Sequence, residues 1–185
     1  MRARALLLAP VLLALGGCGN YLNVEWNGQS GVSHDADGNL ILHVLTCDNS
    51  TSRVEVVAGR EGLDASDVNP TIGAFTSPEP ANGYVEINLA NPDPWVVEQE
   101  LQLPDNPEHY FILSTHLDNP GGPSLLRAER FVSDAALNQA ALQELPAGVI
   151  TTGEQYDPNL DPDAHAPLET LTAEEFASGC DTRDR

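Results

Sequence analysis

The chain has no lysine, one methionine, two tryptophans and only 5% aromatic residues, and its longest apolar run stops well short of a bilayer span. All eight basic residues are arginines, against 28 aspartates and glutamates. A nucleic-acid partner requires many phosphates to be neutralised, and docking by charge on anionic lipid requires a basic patch; this composition argues against both. No Gly-rich phosphate loop, no His-x-x-x-His spacing and no Gly-x-Ser-x-Gly elbow occurs. Only three cysteines are present, too few and too scattered for a Cys-based zinc site.

What is present begins with Met1-Arg-Ala-Arg4, an apolar run from Ala5 to Leu15 interrupted by Pro10, and then Leu15-Gly16-Gly17-Cys18. A positive start, an apolar stretch of about 11 residues and small residues before a cysteine fit a cleaved signal, not a permanent span. The ending resembles the bacterial lipobox, in which the cysteine thiol is lipidated and the signal is cut just before it. Residues 1–17 are therefore expected to be a lipoprotein signal peptide and Cys18 the lipidated N-terminus. At least two acyl chains on Cys18 give stable anchoring, which one chain does not. Removing Arg2 and Arg4 leaves 168 residues with a net charge of −22, enough for one domain with its own core. The remaining cysteines, Cys47 and Cys180, are expected to form a disulfide, as leftover pairs in exported proteins do.

Residues 18–31 read as the lipid anchor and a short connector, although Tyr21, Leu22, Val24 and Trp26 give part of it packing character. Residues 32–152 read as a β-domain with an appended helix, and 153–185 as an acidic C-terminal segment tied back by the disulfide. The strand signals are Leu40–Cys47, apolar on both faces; Arg53–Gly59; Tyr84–Leu89, with Val85, Ile87 and Leu89 inward and Tyr84, Glu86 and Asn88 outward; Trp95–Leu103; His109–Leu117; and Leu125–Val132. Turn sequences at 35–39, 82–83, 91–94 and 119–123 separate them. This spacing predicts an all-β fold, an antiparallel immunoglobulin- or fibronectin-like sandwich with one or two short helices near the C-terminus. Asp134 is placed to cap a helix over about Ala135–Glu144, Gly148–Thr152 reads as a further strand, and Thr172-Ala-Glu-Glu175 reads as a capping box ahead of Cys180.

The lipobox, a Cys closing an early strand, Phe131-Val132, a short helix, Pro146-Ala-Gly148-Val149-Ile150 and an acidic helix with Phe176 before Cys180 together resemble a group of uncharacterised lipoproteins of high-GC Gram-positive bacteria. The resemblance covers nearly the whole chain and implies no activity and no functional residue.

Candidate chemistry is sparse. Ser114-Thr115-His116 sets a serine and a histidine on one strand face without an orienting third group, and none of His34, His43, His109, His116 or His165 has a catalytic neighbourhood in sequence. Asp35-Ala-Asp37-Gly-Asn39 begins like a calcium loop, but its Gly comes at the fourth position, so a turn is expected. Asp157, Asn159, Asp161 and Asp163 place oxygens at alternate positions and are weak calcium candidates, with no other cofactor expected. Trp26, Trp95 and Tyr84 could line a ligand surface, although core packing is the plainer expectation. The functional expectation is a lipid-anchored protein on the extracytoplasmic face of a bacterial membrane, a non-enzymatic binding or structural surface domain with an extracytoplasmic protein or envelope ligand as partner and no nucleic acid. The alternatives are a calcium-dependent surface module and a cell-envelope hydrolase using a carboxylate pair.

Overall fold

Alternating apolar residues between Gly-, Asn- and Pro-rich turns leave little choice but extended chain, and nine strands and two short helices form among the described residues. The computed structural model describes residues 24–118, 129–154 and 168–180. The strands are β1 (Val24–His34), β2 (Leu40–Ala58), β3 (Thr71–Asn88), β4 (Val96–Gln99), β5 (Tyr110–Leu117), β6 (Glu129–Ser133), β7 (Ala135–Asn138), β8 (Ile150–Glu154) and β9 (Leu168–Leu171). The helices are α1 (Gln139–Glu144) and α2 (Ala173–Ala177).

The all-β expectation holds, and both helices fall in the last third of the described chain. The hydrogen bonding runs as a single nine-stranded sheet in the order β4-β3-β2-β5-β7-β8-β1-β6, with β9 beside β8 and a further β1–β2 pairing. Following β1-β2-β5-β7-β8 and back to β1 returns to the starting strand, so five strands close a ring of pairings. The expected sandwich was also fully antiparallel, whereas β1 pairs with β6, and β7 with β8, in parallel. Ring closure rests on close approach at Gly153, whose φ of +101° favours glycine and where a Cβ would lie 2.5 Å from the Ala136 carbonyl oxygen.

The 19 residues of β2 explain most of the architecture. Leu42, Val44, Val54 and Val56 alternate onto the inner face and meet Val32, Phe75, Ile87, Phe111, Leu113, Ala135 and Leu137 in the main core. Leu40–Cys47 and Arg53–Gly59 are thus not two strands but one, with irregular pairing to β3 between Thr46 and Ser50. On the outer face His43 and Leu45 are buried, whereas Arg53 and Glu55 remain partly exposed. The apolar character of both faces near Leu45 is explained by α2, which lays Phe176 against Leu45 and Ile150 in a second, smaller core.

Several sequence boundaries change, and the strand expected over Tyr84–Leu89 extends back through the expected 82–83 turn to Thr71 as β3. The connector residues from Val24 onward are strand β1, already part of the sheet. Residues 135–138 are strand β7 rather than the first helical turn, because Ala135 and Leu137 fill inner-face positions opposite Leu113 and Phe111. Asn138, not Asp134, caps α1, its side chain accepting from the Ala141 N–H at 2.8 Å. Pairing at 95–103 is limited to Val96–Gln99, with Trp95 turned into the core. The capping box at Thr172 and Glu175 is present as expected.

Candidate functional site

Gly31, Ser33, His43, Leu45, Tyr84 and Glu86 come from three adjacent strands and share the outer face beneath α2. The β1–β2–β3 register sets them together: Gly31 lies opposite His43, and His43 opposite Glu86. A Cβ at Gly31 would sit 2.6 Å from Ile150 and 2.8 Å from the Phe176 ring, so only glycine lets Phe176 seat here. Phe176 meets the His43 ring edge-on at 5.9 Å, and His43 stacks on Tyr84 at 6.0 Å.

A hydrogen-bonded line runs through this layer. Ser33 Oγ lies 2.7 Å from His43 Nε2, and His43 Nδ1 lies 2.9 Å from the Tyr84 hydroxyl, which donates to the Glu86 carboxylate. Since the tyrosine proton is committed to Glu86, Nδ1 carries the imidazole proton and Nε2 accepts from Ser33. Burial lowers the His43 pKa to about 4, against the opposing pull of Glu86, so the ring is neutral at pH 7. Burial, reinforced by the bond to Glu86, raises that of Tyr84. The order serine, Nε2, Nδ1 and onward to an acid is that of a nucleophile and its base. Ser33 and His43 are, however, only 1% and 3% exposed, leaving no room for a substrate beside the hydroxyl. In this arrangement the line holds three strands and fixes a tautomer.

The uncovered half of the outer face carries a charged network. Arg53 donates to Glu55 Oε1 through Nε and Nη2 at 2.9 and 2.7 Å and to Glu98 through Nη1, while His116 Nε2 lies 2.9 Å from Glu55 Oε2. Burial pushes the Glu55 carboxyl up, but the bonds from Arg53 and His116 outweigh it and the net shift is downward. Asp134 shifts upward through burial, opposed by its bond to Ser114 and by His116. Ser114 and His116 share a face as expected, with Ser114 bonding Asp134 while His116 bonds Glu55 and also acts on the Asp134 charge. Exposed pairs of this kind contribute little to stability.

The remaining sequence candidates divide simply. Cys47 and Cys180 are joined, with Cα atoms 5.6 Å apart. Cys18 and the calcium candidates Asp157, Asn159, Asp161 and Asp163 lie outside the described residues. Asp35 is a turn residue: Oδ1 accepts from the Asp37 and Asn39 N–H groups and Oδ2 from the Asn39 side chain, which leaves the carboxylate facing its own loop. Among the described residues no group of three or more His, Cys, Asp or Glu could hold a metal ion. Trp95 is core, Tyr84 lies under α2 despite its outward reading, and Trp26 is exposed beside Phe131. An open depression of about 560 Å³ beside the disulfide is lined by Cys47, Asp48, Asn49, Ser50, Asn82 and Gly83. Its polar, unenclosed walls are unlike the apolar clefts that bury small molecules.

The reading of single residues missed the Ser33–His43–Tyr84–Glu86 line because it exists only once strand register is known. The available signal was His43 itself, a polar residue inside an eight-residue apolar run. No helix among the described residues is long and apolar enough to cross a membrane. Comparison with known proteins finds no family model, curated protein or solved structure that matches the chain.

Proposed function

We propose that this is an exported lipoprotein, held on the extracytoplasmic face of a bacterial membrane by acyl chains on Cys18, and that its domain binds or spaces envelope components without catalysis. The observation that carries the reading is the coincidence of Arg2 and Arg4, the apolar run and Leu15-Gly16-Gly17-Cys18. The bridged Cys47 and Cys180 support it, because such bonds persist in oxidising compartments outside the cytosol. Burial of Ser33 and His43 favours a structural role for that line over nucleophilic catalysis by the serine. For the architecture, the ring of pairings favours a small five-stranded barrel with β3–β4 extending from it over an immunoglobulin-like sandwich.

The test is the intact mass of the protein taken from a membrane fraction, with and without reduction. The expected mass begins at Cys18, carries acyl chains and rises by two hydrogens on reduction. A mass without acyl chains that begins elsewhere defeats the anchor. The calcium alternative predicts a calcium-dependent rise in melting temperature that Asp161→Ala abolishes; an unchanged melting temperature removes it.

A further inference from the structure

We propose that Trp26 and Phe131 form an aromatic patch that rests in the lipid headgroup region of the membrane carrying the anchor, fixing the domain's orientation on it. This rests on the lipoprotein reading given above. Trp26 on β1 lies directly opposite Phe131 on β6, with ring centroids 6.4 Å apart. They are 56% and 39% exposed, the only aromatics among the large hydrophobic residues that stand out into solvent in the described chain. Trp95, by contrast, is 5% exposed. An exposed tryptophan and phenylalanine paired across β1 and the end strand β6 call for a cover.

The covalent chain supplies the argument for what covers it. Val24, where β1 begins, is six positions on from Cys18, so an extended chain between them reaches at most about 20 Å. Trp26 lies two residues further on, adding about 7 Å at strand rise. The tether therefore delivers this end of the sheet to the lipid first. Tryptophan favours the water–lipid boundary because its ring is apolar and its indole N–H can still reach water or headgroups.

Charge defines which lipid contact is involved. Arg130, beside the patch, is paired with Glu25 at 3.2 Å, and the chain as a whole is strongly acidic. Attraction to anionic headgroups is absent from this mechanism, so the aromatic contact forms on neutral lipid and is opposed by negative lipid. At β4, the other end of the sheet order, Val96 and Val97 are exposed but no aromatic accompanies them.

The experiment uses the full lipidated chain, its mass checked first, in phosphatidylcholine vesicles with brominated acyl chains. Trp95→Phe leaves Trp26 as the sole emitter; the native chain serves in parallel, its buried Trp95 giving a constant background. The expected result is emission shifted to shorter wavelength and quenched by the brominated lipid, with quenching relieved by Phe131→Glu. Quenching should weaken on phosphatidylglycerol vesicles and recover there with added salt. An acylated, vesicle-bound protein whose Trp26 is unquenched overturns the patch and leaves the lipoprotein reading intact. A mass that does not begin at an acylated Cys18 overturns both. Trp26 emission that is already blue-shifted without vesicles, and depends on protein concentration, assigns the patch to a second copy of the chain and overturns the lipid contact.

Discussion

At His43 the ring is held neutral because Phe176 and Tyr84 exclude water from it, while Ser33 and Tyr84 engage both nitrogens. An unfolded histidine takes up a proton near pH 6.5, whereas the folded ring does so only near pH 4. Below pH 6.5 the unfolded chain therefore binds more protons, and folding loses about 3 kcal/mol from this group as pH falls to 4. Urea midpoints measured across that window should fall less steeply for His43→Gln than for the native chain, even though the variant starts weaker at pH 7. Parallel declines would place the acid sensitivity on the carboxylates instead. The neighbouring Thr46 behaves differently: its hydroxyl is buried and has no hydrogen-bond partner. Thr46→Val removes a desolvated group without breaking a bond, so stability should hold or rise by about 1 kcal/mol in the same assay. A fall of that size would mean that the hydroxyl is satisfied after all. These two residues also mark what sequence can express. Alternation assigns Leu42 and Val44 inward, but the partners of His43 come from β1 and β3, and nothing in a linear pattern supplies register between strands.

α2 spans only five residues, far too few to persist alone in water. It exists because three restraints converge: the Thr172–Glu175 capping box, Phe176 in its socket over Gly31, and the bridge at Cys180. The capping box was legible because both partners are local, at a spacing of three residues. The socket was not, since it depends on Gly31 some 145 positions away. β7 shows the opposite failure: Ala135–Asn138 has helical spacing in sequence, but long-range pairing with β5 wins and delays the helix to Gln139. Thr172→Ala should cost about 1 kcal/mol and raise amide exchange at 173–177. Phe176→Ala should cost about 3–5 kcal/mol and move the His43 pKa back toward 6.5, because the ring that dries this layer is gone. NMR titration of His43 in the variant checks this, and a pKa still near 4 would assign the drying to the strands alone.

For the whole molecule, the ring of strands and the α2 layer are two levels of one fold joined at β2. The main core lies on the inner face and includes no residue of α2 or β9, whereas the outer layer depends on the chain returning after β8 to pair β9 beside β8 and to lay Phe176 of α2 against Leu45 and Ile150. The disulfide closes that return across 133 positions, from the end of one apolar β2 segment to a residue three positions past α2. In the loop-entropy model so long a closure contributes up to about 5 kcal/mol, less where the reduced chain keeps structure. The separation of cores sets the expected manner of loss. Cys47→Ala with Cys180→Ala should lower the urea midpoint and first expose residues 168–177, with His43 gaining water, while amides of β2 and β5 in the inner ring stay protected. Hydrogen exchange resolved by segment reads both at once. If protection of β2 and β5 falls together with that of α2, the two layers form one cooperative unit, and the bridge secures the entire sheet rather than its cover.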